Sequence, residues 1–295
     1  MRSLDQILLF IVLPFVLVMS LAEAIVLSYR RGAEPYDWRA AGVSFADLIL
    51  RITLQIFIPL SLASPVIAWV IEHRLTHIEV DTAWAIAALF LGQEFCYYWY
   101  HRSAHRVRWF WCNHAVHHSP NQLNLSAAYR IGILGKLSGT YFFFIPLFWL
   151  GFTPRLVFDV LTLNLLYQFW IHATWIPKLG WLEYVLNTPS AHRVHHASNP
   201  QYLDANYGGV LIIFDRLFGT YRAEDSAVPC IYGLSTPLLT HNLFKIEFHQ
   251  WLAMFKDLRS ARSPRAVWGY VFKPPGWQPS GEQFTSDAAR KAAGI

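Results

Sequence analysis

Apolar residues gather into five long runs along the chain, separated by polar stretches rich in Arg and His. One helical membrane crossing takes about 20 predominantly apolar residues. The runs have about that length and cover Leu4–Leu27, Phe45–Ile71, Ala83–Tyr100, Leu134–Phe152 and Arg155–Ile176. Only a tight turn from Gly151 to Pro154 separates the last two, which predicts a membrane hairpin. The pattern therefore predicts an integral membrane protein with four to five transmembrane helices.

The composition agrees with this prediction. Of the 295 residues, 54% are hydrophobic and only 15% are charged, which is too apolar for an ordinary soluble domain of this size. The formal net charge of +5 could suggest nucleic acid. However, the basic residues alternate with Trp and Tyr near the ends of the runs, which favours a membrane interface. Three scattered cysteines, an odd number, indicate no disulfide framework.

The distribution of arginine predicts the orientation in the membrane. The first run is longer than a secretory signal and lacks a following cleavage site, so it is interpreted as an anchor. Several arginines follow the first and third runs, whereas the loop between the second and third holds only Arg74. The positive-inside rule then places the N-terminus outside. The His-rich loops and the C-terminal tail would lie on the cytosolic side of a bacterial inner membrane or of the ER membrane.

Eight of the 13 histidines fall into three tight clusters. The clusters are His101 and His105; His114, His117 and His118; and His192, His195 and His196. Residues three and four apart share one face of a helix, so each cluster presents imidazoles to one point. His73 and His77 have the same spacing, but they lie on the opposite side of the predicted membrane and are assigned to a polar loop without metal. The three clusters together have metal-ligand spacing.

The number of imidazoles indicates two metal ions, because a single zinc site takes only three or four protein ligands. Imidazole also accepts iron, copper and nickel, so the donor type alone does not choose the metal. A zinc hydrolase would need a carboxylate base near its ion, and no His-Glu-x-x-His motif occurs. Two iron ions facing an apolar membrane would suit O₂ activation beside an alkyl chain, although zinc could occupy such a site after purification.

Neighbouring residues extend the predicted site. Thr188 can cap a helix that begins at Pro189, which would place the third cluster in its opening turns. Glu94 and Tyr98 lie on the face of His101 and His105, and a carboxylate there could accept the second ring N–H of a ligand histidine. A ninth histidine, His172, shares a helical face with Asn164 and Gln168. Polar side chains at that depth usually serve function. We expect His172 to complete the metal site, and a polar substrate group to contact Asn164, Gln168 or Tyr98.

The three clusters resemble the fatty acid hydroxylase and sterol desaturase superfamily, whose pattern is H-x₃-H, H-x₂-H-H and H-x₂-H-H. The surrounding segments are similar to its alkylglycerol monooxygenase-like branch: EFCYYWYHR from Glu94, NTPSAHRVHH from Asn187, DANYG from Asp204 and FDRLFGT from Phe214. The resemblance implies an all-α membrane fold with a cytosolic helical cap that holds a di-iron site, with O₂ as oxidant and a lipid as substrate. It divides a single membrane domain, 1–295, into N-terminal transmembrane helices (1–82), a catalytic region (83–223) and a cytosolic tail (224–295).

The resemblance also implies that Asp204 and Asn206 support the ligands. Asp204 would orient one ligand imidazole, or it could simply form a turn. Some lipid hydroxylases of the superfamily carry a further H-x₃-H pair near His172, but the residue four positions on is Ile176. No pterin-binding motif is evident, so electrons are expected from a separate protein or a small reductant, with a reduced pterin as one option.

The sequence thus predicts a membrane di-iron enzyme that hydroxylates or desaturates an aliphatic C–H bond of a fatty acyl, sterol-like or ether lipid. No catalytic residue is predicted beyond the metal ligands. Two other classes use histidines in membranes. A haem electron-transfer protein would carry single histidines at two depths, and a metal transporter would carry polar residues through its spans. The clustering of the histidines at one depth favours the enzyme.

Overall fold

The computed structural model describes residues 4–30, 34–58 and 61–295, and they contain helices but no β-strands. The N-terminal part holds α1 (Leu4–Ile7), a π-helical turn (Leu8–Val12), α2 (Leu13–Ser28), α3 (Trp38–Phe57) and α4 (Ser64–Glu72). The central part holds α5 (Ala83–Arg106), α6 (Arg108–His114), α7 (Gly135–Ser138), α8 (Ile145–Leu150), α9 (Pro154–Ile171), α10 (Pro189–His195) and α11 (Ile213–Leu217). The C-terminal part holds α12 (Leu243–Ser260), α13 (Pro264–Phe272) and α14 (Ser286–Ala292).

Two helices in the described ranges are long and apolar enough to cross a membrane, Leu8–Ser28 and Trp38–Phe57. Their outward side chains are apolar and exposed, as Phe10 and Phe15 on the first helix illustrate. The Asp37 side chain caps α3 by accepting a hydrogen bond from the amide of Ala40. These helices correspond to the first predicted run and to the first part of the second.

Two of the predicted runs are not single helices. The run Phe45–Ile71 divides into α3 and α4, and α4 starts with Pro65 in its first turn, a residue that has no amide to continue a preceding helix. The run 134–152 divides into α7, a 3₁₀ segment and α8. Gly139 separates the first two with a left-handed φ of 90°, and Pro146 opens the third. Prolines and left-handed glycines break runs that hydrophobicity alone joins.

The remaining predicted runs are continuous helices, α5 and α9. The turn predicted before α9 is present, since Gly151 has φ 121° and α9 begins at Pro154. A Cβ at Gly151 would lie 2.4 Å from the backbone oxygen of Thr76, so only glycine fits this close approach. An apolar core between α4, α5, α8 and α9 includes Phe144 and Phe148, both fully buried.

The C-terminal helices pack onto the His-bearing region. Trp251 and Met254 of α12 pack against Cys112 of α6. Arg108 at the start of α6 forms an ion pair with Asp257, with 2.6 Å between Nη2 and Oδ2. Residues 243–292 therefore cover the side of the molecule on which the three histidine clusters lie.

Candidate metal centre

Four elements bring the histidines together. His101 and His105 are one turn apart near the end of α5, and His114 ends α6, with His117 and His118 in the turn that follows. His172 lies at the C-terminal end of α9. The third cluster starts as predicted: Thr188 caps α10 by accepting a hydrogen bond from the amide of Ala191, and Pro189 occupies the first turn.

The nine histidines form two groups of buried side chains. One group contains five, His101, His105, His114, His118 and His195. The other contains four, His117, His172, His192 and His196. Within each group, one ring nitrogen from every member lies within 4.8 Å of the others. His73 and His77 are absent from both groups, and both are exposed. We call these the five-histidine group and the four-histidine group.

Backbone carbonyls fix the orientation of four of the rings. The Nδ1 atoms of these rings lie 2.7–2.9 Å from carbonyl oxygens: His101 on Tyr207, His117 on Arg130, His172 on Gln168 and His195 on Ala205. A carbonyl oxygen only accepts, so Nδ1 of each neutral ring must carry the proton. The Nε2 atom of each then presents a lone pair, as a metal ligand requires.

The inner nitrogens have no adequate partners within the protein. Nε2 of His105, His118 and His195 is buried without a hydrogen bond. Nε2 of His101 lies 3.0 Å from Nε2 of His114, and Nε2 of His192 lies 3.2 Å from that of His172 and 3.1 Å from that of His196. Converging lone pairs without donors are costly to bury unless a cation lies between them. The residues therefore fit a metal centre with an all-nitrogen donor set.

Burial also keeps these imidazoles neutral. It lowers the pKa of His117 to about 4 and lowers the pKa values of His114, His118, His192, His195 and His196 well below the ordinary value. Their mutual proximity adds to the shift, because a charge on one ring disfavours a charge on the next. Neutral imidazole is the form that binds a metal ion, so the site is set for metal near neutral pH.

Asp204 lies beside the five-histidine group. Its Oδ1 is 3.7 Å from Nδ1 of His105, and its Oδ2 accepts a 2.7 Å hydrogen bond from Arg106. Burial would raise the pKa of Asp204, but the interactions with His105 and Arg106 hold it below its ordinary value. Asn206, two residues on, donates to the carbonyl oxygens of Ala191 and Arg222 and so ties the α10 helix to this loop.

Glu94 contacts the backbone rather than a histidine ring. Its Oε2 accepts hydrogen bonds from the amides of Val210 and Leu211, and its Oε1 accepts one from the Asn164 side chain. The sequence suggested that Glu94 would accept a ring N–H, but carbonyl oxygens take that role for the four rings described above. The carboxylate instead anchors residues 210 and 211 to α5, close to Tyr207, whose carbonyl orients His101.

The predicted substrate contacts are satisfied within the protein. Gln168 donates to Asn164 and accepts a 3.0 Å hydrogen bond from the Tyr97 hydroxyl. Tyr98 is fully buried and bonds Thr220 and Arg102. Gln168 also lines the narrow cavity at the histidines.

Asp215 is a supporting residue that the sequence analysis did not single out. Its carboxylate accepts 2.8 Å hydrogen bonds from the amides of Tyr207 and Gly208 and a further one from Thr220. Burial raises the pKa of Asp215 to about 6 despite these bonds. The Asp215 carboxylate therefore fixes the backbone of Tyr207, whose carbonyl oxygen orients the His101 ring. Its place in the segment FDRLFGT was the available signal, but a lone Asp gives no indication of which backbone it binds.

An apolar cavity system reaches the histidines from one side. A narrow cavity of about 50 Å³ contacts His114, His117 and His172. It shares Ile131 and Leu165 with a larger, mostly apolar cavity of about 380 Å³. The same two residues line a third space of about 400 Å³, which opens between α2, α3 and α9 along the apolar first helix. Because all three spaces share Ile131 and Leu165 in their walls, we call them together the apolar cavity.

A second cavity, of about 490 Å³, reaches the histidines from the other side, and we call it the polar cavity. It contacts His105, His118 and His195, all from the five-histidine group. Asp204 and Ser235 are among its polar lining residues, and α14 contributes part of its wall. The polar cavity therefore contacts members of the five-histidine group alone, whereas the apolar cavity contacts His117 and His172 of the four-histidine group and also His114.

Comparison with known proteins gives consistent matches. Residues 86–220 match the model of the fatty acid hydroxylase family. Alkylglycerol monooxygenase from Homo sapiens is 39% identical over 269 residues, which is 90% of this chain and 59% of that protein. The Danio rerio alkylglycerol monooxygenase is 39% identical over 235 residues, covering 79% of this chain and 51% of that protein.

A bacterial protein matches over a shorter region. Ornithine lipid hydroxylase OlsE from Rhizobium tropici is 30% identical over 129 residues, covering 44% of this chain and 39% of that protein. This chain thus spans between about half and three fifths of the length of the alkylglycerol monooxygenases from Homo sapiens and Danio rerio. No solved structure matches it.

Proposed function

The chain belongs to the fatty acid hydroxylase superfamily, and we propose that it is a membrane enzyme that uses O₂ to oxidise an aliphatic C–H bond of a lipid. The observation that carries this proposal is the meeting of nine buried imidazoles with the narrow end of an apolar cavity. A simple structural metal site would have no use for an apolar approach of this kind, and the His-Glu-x-x-His motif of a zinc hydrolase does not occur in the sequence. Hydroxylation is favoured over desaturation, since the related proteins are named monooxygenase and hydroxylase.

We assign one iron ion to the five-histidine group and one to the four-histidine group. Bound there, the two ions would supply the redox chemistry that activates O₂ for attack on a C–H bond. The protein holds the rings in the required tautomer through the carbonyls of Tyr207, Arg130, Gln168 and Ala205. It also shields the rings from bulk solvent, because all nine are buried.

The substrate we propose is an ether lipid, on the basis of the 39% identity with alkylglycerol monooxygenase. Its alkyl chain would enter between α2, α3 and α9 and pass Ile131 and Leu165 to reach His117 and His172. Oxidation of an unactivated carbon demands near-contact with the reacting centre, which the narrow inner cavity would impose. The exposed apolar surfaces of Leu8–Ser28 and Trp38–Phe57 support insertion in a membrane. The distribution of arginine would place the metal centre on the cytosolic side.

Electrons would reach the centre from the polar cavity. It contacts three ligands of the five-histidine group and lies apart from the apolar approach. A separate donor protein could dock over its mouth, or a small reductant such as a reduced pterin could enter it. Separate approaches would let the reductant be replaced while the lipid stays bound.

The two alternative classes receive less support. The imidazoles pack against one another at centroid distances such as 4.4 Å for His101 and His195, which leaves no slot for a flat porphyrin between them. A transporter would need a polar path away from the site. Asn164 and Gln168 are instead bonded to Glu94 and Tyr97.

The test is a lipidomic comparison of cells that carry the gene, cells that lack it, and cells that carry His195→Ala. We expect oxidation products of an ether lipid only with the wild-type chain. His73→Ala is the matched control, because His73 has the same sequence spacing but is exposed. No lipid change that depends on His195 would remove the proposal.

A further inference from the structure

Arg51 is a cation that faces the apolar cavity without a hydrogen-bonded partner. It lies within α3, and its side chain lines both the 380 Å³ space and the space that opens along the first helix. Its Nε atom is buried without a hydrogen bond, and its guanidinium forms no ion pair with another residue that the structure describes. Burying a guanidinium without a partner costs free energy of folding, so the position of Arg51 points to a ligand that pairs with it.

Lys136 supplies a second cation at the same wall. It lies on α7, lines the same space as Arg51, and is within electrostatic range of it. Its side chain is half-buried and also forms no ion pair with the described residues. Gln55 and Thr140 add uncharged polar groups to this wall, while Leu54, Phe144 and Leu161 make the rest apolar. The two cations therefore come from separate elements and meet at one side of the cavity.

The nearby acids do not neutralise this wall. Asp47 and Glu247 are buried side by side, and each accepts a backbone amide, from Ile131 and Ile133 respectively. The second oxygen of each carboxyl is buried without a hydrogen-bond donor. Burial and the adjacent Asp47 raise the pKa of Glu247 to about 9. Glu247 is therefore neutral near pH 7, so the two acids supply at most a single negative charge.

Arg130 offsets part of that single negative charge. It lies within electrostatic range of both carboxyls. Unlike Arg51, it is fully bonded, to the Ser44 and Ser119 hydroxyls and the carbonyl oxygen of Ala40. Three cations thus face one negative charge, which leaves a positive excess at the wall that Arg51 and Lys136 line.

We propose that Arg51 and Lys136 bind the anionic headgroup of a lipid whose chain occupies the apolar cavity. A phosphate or carboxylate there would satisfy the unpaired guanidinium through charge-assisted hydrogen bonds. The apolar walls would hold the alkyl portion, and the narrow cavity beyond Ile131 and Leu165 leads to the histidines. The inference rests on the proposed function, because it concerns the headgroup of the same substrate.

The test compares two lipids with the same hexadecyl ether chain, hexadecylglycerol and hexadecylglycerol phosphate. Binding and turnover are measured with the full metal-loaded chain in phosphatidylcholine nanodiscs. The variants are Arg51→Gln and Lys136→Gln. Arg39→Gln is the matched control, since Arg39 lies on the same helix but is exposed. Bound metal per chain confirms that each variant has folded around its histidines.

We expect the wild-type chain to bind the phosphate lipid about 10- to 100-fold more tightly than the neutral one. Arg51→Gln should remove most of that preference, and Arg39→Gln should keep it. Equal affinity for both lipids in the wild-type chain, or a preference that survives in Arg51→Gln, would overturn the inference. Equally tight binding of glycerol phosphate without a chain would also overturn it, since the site would then be one for free phosphates.

Measuring lipid binding and lipid turnover separately distinguishes a failure of this inference from a failure of the proposed function. Absence of turnover with every lipid would count against the proposed function alone. The binding preference and its dependence on Arg51 would still decide whether the headgroup site exists.

Discussion

The two histidine groups share their chemistry but differ in what surrounds them. Each presents only imidazole nitrogens, and in each some rings are oriented by backbone carbonyls. The narrow apolar cavity contacts His117 and His172 of the four-histidine group, together with His114 of the five-histidine group. The five-histidine group opens through His105, His118 and His195 to the polar cavity and has the carboxylate of Asp204 beside it.

Because both groups offer only imidazole nitrogens, the ligand atoms alone do not assign a role to either group. The surroundings separate a side suited to an alkyl chain from a side suited to a polar reductant. We infer that the four-histidine side receives the lipid and the five-histidine side receives electrons.

The largest effect is expected from removing one ligand of either group. His195→Ala and His192→Ala should each lower lipid oxidation by more than about 100-fold, since even partners of ligands are worth 10- to 100-fold. Each should also reduce the iron bound per chain. His73→Ala should match the wild-type chain in both measurements. Activity retained in either ligand variant would show that its group is dispensable.

Blocking each cavity should separate the two approaches. Leu165 lines all three spaces of the apolar cavity, and Ser235 lines the polar cavity; both are exposed enough to enlarge. Leu165→Trp should lower kcat/KM for the lipid by about 100-fold, because small displacements of the reacting carbon are costly. Ser235→Trp should leave lipid affinity unchanged and raise the reductant concentration needed for half-maximal rate. The reverse pattern in steady-state kinetics would exchange the two assignments.

Asp204→Asn should act on the five-histidine group only. Loss of its charge removes the partner of the His105 ring, and we expect about tenfold weaker binding of one iron. Asp287→Asn is the control, because Asp287 also bonds Arg106 but contacts no histidine in the described structure. Anaerobic iron titration distinguishes weakening of one site from weakening of both.

The smallest effect is expected from pH. Burial lowers the pKa of His117 to about 4, below the value in an unfolded chain, so the folded site resists protonation. Iron should therefore stay bound down to about pH 5, whereas exposed histidines would release it near their ordinary pKa of about 6.5. The metal-free chain should lose stability as the pH falls through this window, since only the unfolded chain takes up the protons. Iron release with a midpoint near 6.5 in dialysis would contradict buried, neutral ligands.

Much of the site was predictable because its ligands are local in sequence. The spacing of His101 with His105, and of His192 with His195, follows from helical geometry, and the polar ladder to His172 pointed to the ninth ring. Thr188 and Pro189 correctly predicted the start of α10.

The remaining features depend on contacts between distant residues. The carbonyl of Tyr207 orients His101 across 106 positions of sequence. The Asp47 and Glu247 carboxyls lie on helices that only the fold brings together. Hydrophobicity also joined residues 134–152 into one run, since it does not register the left-handed turn at Gly139.

The central claim is that nine buried histidines hold two metal ions, and iron stoichiometry tests it most directly. The metal-free chain is titrated with ferrous iron under argon, and Mössbauer spectroscopy follows the bound ions. We predict two nitrogen-ligated irons per chain, falling to one or fewer when His192 is replaced by alanine. A wild-type chain that binds at most one iron, or that binds two regardless of His192, would contradict it.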